Sequence, residues 1–281
     1  MIRPPAAFVV GHPIGHSRSP IIHGHWLKKH DIAGSYEALD IAPDDFFAFL
    51  DRLRSGEAGF VGGNVTMPHK EAAMRGADEI DPNVARLGAG NTLWCVNGRL
   101  HLTNTDGYGF LANLDQRAPG WDRGERAVVL GAGGASRAVI DALVERGFDR
   151  VDIVNRTVER AGEIAGLFGP KAAAHGMEKF SSLVLNADFF VNTSALGLDG
   201  SEVPAIDFTT MRPGAVVTDI VYAPLMTPFL KEAHAQGLRT VDGLGMLLHQ
   251  AVPGFERWFG LRPEVTMEVR DLVIADLESK H

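Results

Sequence analysis

The most informative segment of the sequence is Ala127-Val128-Val129-Leu130-Gly131-Ala132-Gly133-Gly134-Ala135-Ser136-Arg137. Its first four residues form a continuous apolar run, which is typical of a central parallel strand that is buried on both faces. After the glycines, apolar residues recur at helical spacing up to Gly147, and Arg137, Asp141 and Glu145 occupy the opposite face. The segment therefore predicts a strand, a glycine turn and an amphipathic helix.

The alternation of strands and helices extends outward from this segment. Residues 151–154 form the next apolar strand, so residues 127–154 make one βαβ unit. Ser19 is expected to cap a helix that begins with Pro20, and Pro68 is expected to begin another. The remaining predicted strands are residues 6–10, 35–41, 59–66, 189–192 and 215–220, and a further helix is predicted from residue 43 to about residue 53. This pattern predicts an α/β fold with a largely parallel sheet.

Composition limits the class of protein. At roughly 150 residues per domain, 281 residues suggest about two domains, and residues 116–126, with Pro119-Gly120 and Gly124, suit a linker. The formal net charge of −8 argues against general binding to nucleic acid or to anionic membranes. Cys95 is the single cysteine, which excludes an intramolecular disulfide and fits a reducing compartment. No apolar run approaches the ~18–20 residues of a membrane span, so a cytoplasmic protein is expected.

The turn at Gly131 matches the pattern G-x-G-x-x-G, with Ser136 in the place of the third glycine. Glycines let the backbone approach a pyrophosphate, and the following helix N-terminus contributes N–H donors and partial positive charge. The third position needs only a small residue, because helix and strand pack closely there. The turn predicts a dinucleotide site; the alternative is a tight turn that binds nothing.

The end of the second strand of the βαβ unit indicates which dinucleotide would bind. An NAD site places Asp or Glu there, where it accepts from the ribose 2′-hydroxyl. This chain has Asn155-Arg156-Thr157 at that position, followed by Arg160. Arg156 can stack on adenine and pair with a 2′-phosphate. The segment therefore favours NADP over NAD; the alternative is that Arg156 and Arg160 form a solvated helix face.

Further polar clusters stand at predicted element boundaries, where ligands bind in open α/β sheets. They are Gly11-His12-Pro13-Ile14-Gly15-His16-Ser17-Arg18-Ser19-Pro20, Asn64-Val65-Thr66-Met67-Pro68-His69-Lys70, Gly90-Asn91-Thr92-Leu93, Asn104-Thr105-Asp106-Gly107, Asp219-Ile220-Val221-Tyr222-Ala223-Pro224 and Asp242-Gly243-Leu244-Gly245-Met246-Leu247-Leu248-His249-Gln250. Together with the two segments of the dinucleotide site, and in order from residue 10 to about residue 260, they resemble the shikimate dehydrogenase family.

The resemblance implies an activity and an architecture. The activity is the reversible reduction of 3-dehydroshikimate to shikimate by hydride transfer from NADPH, in the pathway to chorismate and aromatic amino acids. The architecture is two domains separated by a cleft. Residues 1–115, completed by residues 243–281, would form an α/β substrate-binding domain, and residues 116–242 would form a Rossmann-like NADP-binding domain.

Lys70 and Asp106 are the residues that the resemblance places at the catalytic centre. Ketone reduction needs a hydride donor and a proton donor near the carbonyl oxygen. A Lys–Asp pair can hold an ammonium group against the developing alkoxide. Lys70 would be the acid/base and Asp106 its partner, and the division of proton transfer between them stays open. In isolation, Lys70 would be interpreted as a solvated helix residue and Asp106 as a helix cap.

The remaining site residues also follow from the resemblance. Ser17 and Ser19 would bind the carboxylate of shikimate, and Tyr222 could also reach it. The residues that would bind the ring hydroxyls or brace their site are Thr66, Lys70, Asn91, Asp106 and Gln250. The cofactor-binding residues would be Gly131, Ala132, Gly133, Gly134, Ala135, Asn155, Arg156, Thr157, Arg160, Asn192, Thr193, Ser194, Gly243 and Met246. Met246 could equally be a core residue.

Three places depart from the family pattern, and one of them is residues 192–197, which keep the Asn, the Thr/Ser pair and the Gly of the family only loosely. Gly24 follows His23, where members of the family often have Asn. Pro253 lies in the helix of Gln250 and removes one backbone hydrogen bond, so a kink is expected there. The kink leaves the direction of the Gln250 side chain open.

Two other functions stay open from the sequence. One is a quinate/shikimate dehydrogenase that uses NAD, against which the Ser17-x-Ser19 pair and Asn155-Arg156-Thr157 weigh. The other is a non-catalytic NADP-binding regulatory paralogue, against which the retention of Lys70 and Asp106 weighs. The N-terminal histidines lack metal-ligand spacing, so no metal is expected. The expected partners are a small-molecule substrate and a second copy of the chain in a homodimer, with no nucleic acid and no membrane.

Overall fold

The structure is a computed structural model that describes residues 4–196 and 204–279. The chain packs into two compact units, the first made of Met1–Thr105 with Gln250–His281 and the second of Asp106–His249. The strands are β1 (Ala6–Gly11), β2 (Ser35–Asp40), β3 (Gly62–Val65), β4 (Glu79–Ile80), β5 (Thr92–Val96), β6 (Arg99–Thr103), β7 (Arg126–Leu130), β8 (Arg150–Val154), β9 (Ala172–His175), β10 (Phe189–Asn192), β11 (Val216–Asp219) and β12 (Arg239–Val241).

Helices connect most of these strands. They are α1 (Ser19–Lys29), α2 (Phe46–Arg54), α3 (Lys70–Gly76), α4 (Pro82–Leu87), α5 (Asp106–Arg117), α6 (Gly134–Arg146), α7 (Val158–Ala165), α8 (Phe180–Val184), α9 (Pro228–Ala235), α10 (Leu244–Phe259) and α11 (Met267–Glu278). Short 3-10 helices are Pro43–Asp45, Gly169–Lys171, Met177–Lys179 and Phe208–Thr210. The predicted α/β class is therefore confirmed.

The sheet of the first unit has the strand order β2-β1-β3-β5-β6-β4. Strand β1 is parallel to both β2 and β3, as predicted, and the exception is β5, which is antiparallel to β3 and to β6. The antiparallel pairing of β5 with β6 follows from a hairpin, whose two-residue turn is Asn97-Gly98. Both residues have positive φ, 50° and 75°, as a tight hairpin turn requires.

Glycines in β3 let large rings pack against this sheet. A Cβ on Gly63 would lie 2.4 Å from the Phe8 ring, and a Cβ on Gly62 would lie 2.5 Å from Nε1 of Trp258. The Trp258 indole therefore reaches the sheet and donates a hydrogen bond to the Leu93 carbonyl at 2.9 Å. Strand β3 is shorter than the predicted residues 59–66, and it is buried along its whole length.

The second unit has a fully parallel sheet with the order β12-β11-β10-β7-β8-β9. The predicted βαβ unit is confirmed, because β7 and β8 pair in parallel on either side of α6 in the chain. Apolar clusters cover both faces of the sheet, as the uninterrupted apolar run of β7 indicates.

Helix α6 is buried more widely than its sequence predicts. The helical pattern places Asp141 on the exposed face with Arg137 and Glu145, yet the exposed fraction of Asp141 is 7%. The reason is that α6 packs against α5 as well as against the sheet, so only part of its circumference reaches water.

The prediction of a linker at residues 116–126 is wrong, because the segment lies within the second unit: it holds the end of α5, a packed connection at residues 118–125 and the first residue of β7. Trp121 is buried in the apolar cluster of that unit. Its ring stacks on Phe148, lies under the Arg146 guanidinium at 5.5 Å, and donates from Nε1 to Asp115 at 2.9 Å. These contacts of Trp121 hold the segment in a fixed position, although it contains Pro, Gly and several charged residues.

Candidate active site

The Ser17-Arg18-Ser19 loop joins β1 to α1 in the first unit. The predicted helix cap, Ser19, is already the first helical residue, and Arg18 occupies the cap position without a side-chain hydrogen bond to the helix. The Ser19 N–H donates to Ser17 Oγ at 3.3 Å, which keeps the two hydroxyl-bearing residues adjacent. The buried Arg18 side chain lies 2.6 Å from Asp276 of α11 and donates to the His16 carbonyl. Arg18 thus ties this loop to the C-terminal helix.

Lys70 is the first residue of α3. Pro68, the predicted start of this helix, lies instead in a preceding turn, after a cis peptide bond. The His69 N–H closes that turn on the Thr66 carbonyl at 2.9 Å. The Lys70 carbonyl accepts from Gly90 N at 3.1 Å, so α3 begins beside the segment that leads into β5.

Thr66, at the end of β3, is half-buried. Its methyl group packs so closely against Gly11 that a Cβ there would come within 2.6 Å of it. Its backbone N–H donates to the Val10 carbonyl at 2.9 Å. The predicted substrate residue Thr66 is therefore held against the end of β1, next to the loop that carries Ser17 and Ser19.

His69, immediately before Lys70, fixes the start of α3. Its ring stacks on Phe46 with centroids 4.3 Å apart, and its Nε2 donates to the Ile41 carbonyl at 2.7 Å. Burial lowers the pKa of His69, and the hydrogen bond to Ile41 opposes that effect. The helix that presents Lys70 is therefore anchored to the end of β2.

Asn91 is the centre of a buried hydrogen-bond network. Its Oδ1 accepts from Thr92 Oγ1 and from the Thr105 N–H, each at 2.9 Å, and lies 3.1 Å from the Thr105 hydroxyl. Its Nδ2 donates to Gln250 Oε1 at 3.4 Å, and the Thr105 hydroxyl also reaches the Gln250 carbonyl at 2.9 Å. The structure therefore brings the predicted residues Asn91 and Gln250 together. Gln250 is buried, with 9% of its surface exposed, and α10 continues through Pro253.

Asn64 extends this network to β2, although it is not among the predicted site residues. Its Nδ2 donates to the Asn91 carbonyl and to Thr92 Oγ1, each at 3.2 Å, and its Oδ1 accepts from the Tyr36 hydroxyl at 2.6 Å. A sequence signal for Asn64 exists, since it stands two residues before Thr66 at a strand end. Tyr36 carries no such local signal, because its place depends on the pairing of β1 with β2 and β3.

His23 lies against Tyr36 and is completely buried. Its ring stacks on Tyr36 with centroids 3.9 Å apart and lies beside Phe255 and Trp258. Among the described residues, neither ring nitrogen has a partner within hydrogen-bonding geometry. Burial lowers the pKa of His23 to about 3, and the neighbouring Asn64 opposes only part of that shift. The imidazole is therefore neutral at physiological pH.

Asp106 is the first residue of α5 and belongs to the second unit. The chain places it directly after Thr105 of the Asn91 network, and its side chain is buried, with 9% exposed. Its pairing with Lys70 stays a prediction.

The turn at Gly131 has the geometry that the glycine pattern predicts. Gly131 has φ +112°, and a Cβ there would lie 2.8 Å from Thr193 Oγ1. Gly133 is the cap residue of α6, and a Cβ on either Gly133 or Gly134 would meet only open space within 4 Å. The turn is thus tight at its first glycine and open at the next two.

The third position of the glycine pattern holds a buried Ser136. Its hydroxyl donates to the Gly133 carbonyl at 2.5 Å, so the buried polar group has a partner. Ala132 lies in the same turn, and Ala135 is the second residue of α6. The small side chains keep the N-terminus of α6 close to the end of β7.

The segment after β8 presents its side chains to solvent. Arg156, Thr157 and Arg160 are exposed, and Asn155 Nδ2 donates to the Thr157 carbonyl at 2.8 Å. Thr157 is the cap residue of α7 but makes no side-chain hydrogen bond there. Hydroxyl and guanidinium groups are thus available at the carboxyl end of β8, where a 2′-phosphate would be recognised.

The predicted cofactor residues at the end of β10 form hydrogen bonds with other residues of the second unit. Thr193 Oγ1 donates to the Leu130 carbonyl at 2.9 Å, and Asn192 Nδ2 donates to Asp219 Oδ2 at 3.0 Å. The Ser194 N–H and hydroxyl both donate to Asn192 Oδ1. These bonds hold the loop after β10 against the turn that follows β7.

Asp219 is the acceptor that organises the neighbouring strand end. Its Oδ2 also accepts from Thr227 Oγ1 at 2.7 Å, and its Oδ1 accepts from Val221 N at 2.9 Å. Burial raises the pKa of Asp219, and these hydrogen bonds oppose that shift. These hydrogen bonds fix the Asp219 carboxylate, and with it the start of the segment that carries the half-buried Tyr222.

Gly243 and Met246 lie near the start of α10. A Cβ on Gly243 would lie 2.4 Å from the Ile220 carbonyl oxygen, so only glycine fits there without a shift. Met246 is buried in an apolar cluster of the second unit. Its surroundings are those of a core methionine.

No group of three or more His, Cys, Asp or Glu side chains suited to a metal ion occurs in residues 4–196 and 204–279. Within those same ranges, no helix is both long enough and apolar enough to cross a membrane.

Family models and relatives of high identity point to the same family. Three family models match: the shikimate dehydrogenase substrate binding domain at residues 9–93, shikimate / quinate 5-dehydrogenase at residues 115–200, and the shikimate 5'-dehydrogenase C-terminal domain at residues 243–266. The chain is 58% identical to shikimate dehydrogenase (NADP(+)) of Rhizobium meliloti (strain 1021), over 97% of this chain and 95% of that protein.

Two solved structures illustrate the range of ligands among similar proteins. One is shikimate 5-dehydrogenase from Thermus thermophilus in complex with NADP(H) and shikimate, with a TM-score of 0.82, 37% identity and coverage of 96% and 99% of the two chains. The other is quinate dehydrogenase from Corynebacterium glutamicum in complex with NAD, with a TM-score of 0.88, 28% identity and coverage of 97% and 99%.

Proposed function

The chain belongs to the shikimate dehydrogenase family, and from that premise we propose that it catalyses the NADP-dependent, reversible reduction of 3-dehydroshikimate to shikimate. The observation that carries this proposal is the 58% identity, over nearly the whole chain, to a shikimate dehydrogenase that uses NADP(+). The exposed Arg156 and Thr157, in a segment without the acid of NAD sites, support the choice of cofactor.

The proposal assigns one role to each half of the chain. The substrate-binding part comprises residues 1–115 with residues 243–281, and the NADP-binding part comprises residues 116–242. The buried network of amides and hydroxyls around Asn91 supports the first role, because a small polyol carboxylate needs such donors and acceptors. The parallel sheet with its glycine turn at Gly131 supports the second.

The glycine turn fits the pyrophosphate of an NADP molecule. Open space at Gly133 and Gly134 leaves room beside the N-terminus of α6, where no side chain forms a cap hydrogen bond. Asn192, Thr193 and Ser194 would act by holding the turn in place. NADPH, when bound, supplies the hydride.

The segment after β8 fits the adenosine end of the same cofactor. Arg156, Thr157 and Arg160 would hold the 2′-phosphate, since guanidinium and hydroxyl groups are strong partners of phosphate oxygens. Asn155 would support the loop through its hydrogen bond to the Thr157 carbonyl.

Lys70 and Asp106 handle the proton. Lys70 donates a proton to the carbonyl oxygen of 3-dehydroshikimate and stabilises the negative charge that develops there. Asp106 holds the Lys70 ammonium and accepts from a ring hydroxyl.

The remaining predicted residues hold the substrate. Ser17 and Ser19 bind the carboxylate together with Tyr222. The ring hydroxyls meet Thr66 and the amides of Asn91 and Gln250. The hydrogen bond between these two amides supports this role, because it orients them before the substrate arrives.

The assembly and location follow from the same proposal. We propose a homodimer, which light scattering on the purified protein would test against a monomer. We also propose a cytoplasmic location, which the single Cys95 supports because the fold then needs no oxidising compartment.

The decisive experiment measures oxidation of shikimate and of quinate, each with NADP⁺ and with NAD⁺, by absorbance of the reduced cofactor. Shikimate with NADP⁺ is expected to give the highest kcat/KM. A preference for quinate with NAD⁺ would favour the alternative represented by the quinate dehydrogenase relative. Binding of NADP⁺ without turnover of either substrate would favour a regulatory paralogue.

A further inference from the structure

Tyr36 is the outermost member of the Asn91 network. It lies on β2, the edge strand of its sheet, and its hydroxyl is 2.6 Å from Asn64 Oδ1. Its ring is stacked on the neutral imidazole of His23, so the phenol has a fixed plane. Burial raises the pKa of Tyr36 well above its ordinary value, and the neighbouring Ser19 and Asn64 oppose that effect. The phenol therefore keeps its proton and can donate.

The direction of the Tyr36 hydrogen bond follows from the other contacts of Asn64. The Asn91 carbonyl can only accept, so the Asn64 atom that faces it must be the Nδ2 donor. Oδ1 then faces Tyr36, and the phenol must donate. Asn64 is buried, with 5% of its surface exposed. Loss of the Tyr36 hydroxyl would therefore remove this hydrogen-bond donor from Asn64 Oδ1 at a position where water has little access to replace it.

The Asn64 amide in turn acts on Asn91 by two routes. One is its bond to the Asn91 carbonyl, and the other passes through the Thr92 hydroxyl, which accepts from Asn64 and donates to Asn91 Oδ1. An Asn64 amide that rotates would therefore disturb both the backbone and the side chain of Asn91.

We propose that Tyr36 is a positioning residue of the substrate pocket, whose hydroxyl orients the Asn64 amide and, through it, the Asn91 side chain. The proposal rests on the proposed function, which assigns Asn91 to a ring hydroxyl of shikimate. Tyr36 itself needs no contact with the substrate in order to act.

The test removes one oxygen atom with Tyr36→Phe, which keeps the ring on His23. KM for shikimate is expected to rise about tenfold, the effect of one buried acceptor left unpaired, while KM for NADP⁺ changes less than about twofold. The matched control is Thr218→Val, which removes a buried hydroxyl that donates to the Val241 carbonyl in the second unit. This control is expected to lower the melting temperature without changing KM for shikimate.

A double-mutant cycle with Asn64→Ala tests the route. If Tyr36 acts through Asn64, adding Tyr36→Phe to Asn64→Ala changes KM for shikimate by less than about twofold. Multiplication of the two single effects would overturn the route, as expected if the phenol acted through Ser19 instead. An unchanged KM in Tyr36→Phe, in a wild type that turns over shikimate, would overturn the proposal itself.

A readout without turnover separates this proposal from the proposed function. In protein labelled with ¹⁵N-asparagine, Tyr36→Phe is expected to shift the side-chain amide signals of Asn64 and Asn91, and Thr218→Val is expected to leave them in place. Unchanged amide signals would overturn the positioning role, whether or not the wild type oxidises shikimate. Signals that shift in Tyr36→Phe, together with a wild type that shows no turnover, would contradict the proposed function alone.

Discussion

Asn91 Nδ2 lies 3.4 Å from Gln250 Oε1, although 159 residues separate them in the sequence. The contact joins the start of β5 to α10, and Thr105 strengthens it by bonding to both residues. Two amides from distant parts of the chain are therefore oriented by each other before any substrate binds. For the proposed role of both amides in substrate binding, such prior orientation would reduce the conformational entropy lost on binding.

Lys70→Ala is expected to lower kcat by ~10²–10⁴-fold, the usual range for loss of an acid/base group. Alanine is a good residue for the first turn of α3, so the fold should persist. Steady-state kinetics with saturating NADP⁺ would measure the effect, with the exposed Lys231→Ala as control. A near-normal kcat would contradict the acid/base role, and a rise in KM alone would make Lys70 a binding group.

Arg156→Ala is expected to weaken NADP⁺ binding by about one to two decades, because a charge-assisted contact is worth roughly 1.5–3 kcal/mol. NAD⁺ lacks the 2′-phosphate and should lose much less. Thr157→Asp should shift the preference further, since a carboxylate repels the phosphate and can accept from a free 2′-hydroxyl. The measurement is kcat/KM with both cofactors; the same NADP⁺/NAD⁺ ratio in all three proteins would refute this assignment.

Two glycines of the same turn should respond differently to alanine. Gly131→Ala forces a Cβ to within 2.8 Å of Thr193 Oγ1 at φ +112°, so we expect a loss of roughly 1–3 kcal/mol in the free energy of unfolding without ligand. Gly133 has φ −92° and ψ −178° and open space around it, so Gly133→Ala should lower the free energy of unfolding by less than Gly131→Ala does, and it should weaken NADP⁺ binding.

Urea unfolding and NADP⁺ titration would measure both glycine variants. Wild-type affinity in Gly133→Ala would show that no pyrophosphate approaches the backbone there. Wild-type stability in Gly131→Ala would show that the turn can relax.

His23→Phe is expected to flatten the acid side of the stability profile. Native His23 has a pKa of about 3, against the ordinary value of 6.5. Below pH 6.5 the imidazole is therefore protonated in the unfolded chain but stays neutral in the native state. The free energy of unfolding therefore carries its full contribution from neutral His23 above pH 6.5. Between pH 6.5 and pH 3 it falls by about 1.4 kcal/mol per pH unit.

Urea unfolding of wild type and His23→Phe between pH 8 and pH 5 would test this. At pH 8 the imidazole is neutral in both states, so the difference there contains no contribution from its protonation. Identical slopes below pH 6.5 would show that native His23 takes up a proton as readily as the unfolded chain.

How well the sequence predicts this structure depends on how local each feature is. The βαβ unit around Gly131 is predictable because strand, turn and helix each carry their own pattern within a few residues. The hairpin of β5 and β6 also has a local signal, the pair Asn97-Gly98, which is typical of such turns. The prediction for Pro68 is wrong because a proline suits a turn as well as a helix start.

The site is predictable only in part, for the same reason. Family motifs identify Asn91 and Gln250, but their contact depends on where α10 packs, and no local pattern specifies that. Tyr36 has no motif because its role arises from strand pairing between β1, β2 and β3. The exposed face predicted for Asp141 is wrong because burial by α5 is a tertiary effect.

Trp121 is one of four tryptophans, and the other three, Trp26, Trp94 and Trp258, belong to the first unit. Indole fluorescence of the second unit therefore comes from a single fluorophore whose ring is stacked on Phe148 and covered by Arg146. In a Trp121→Phe variant, all tryptophan emission reports on the first unit, and the difference from the wild type isolates the second. A single spectroscopic titration can thus assign an unfolding step, or a ligand-induced change, to one half of the molecule.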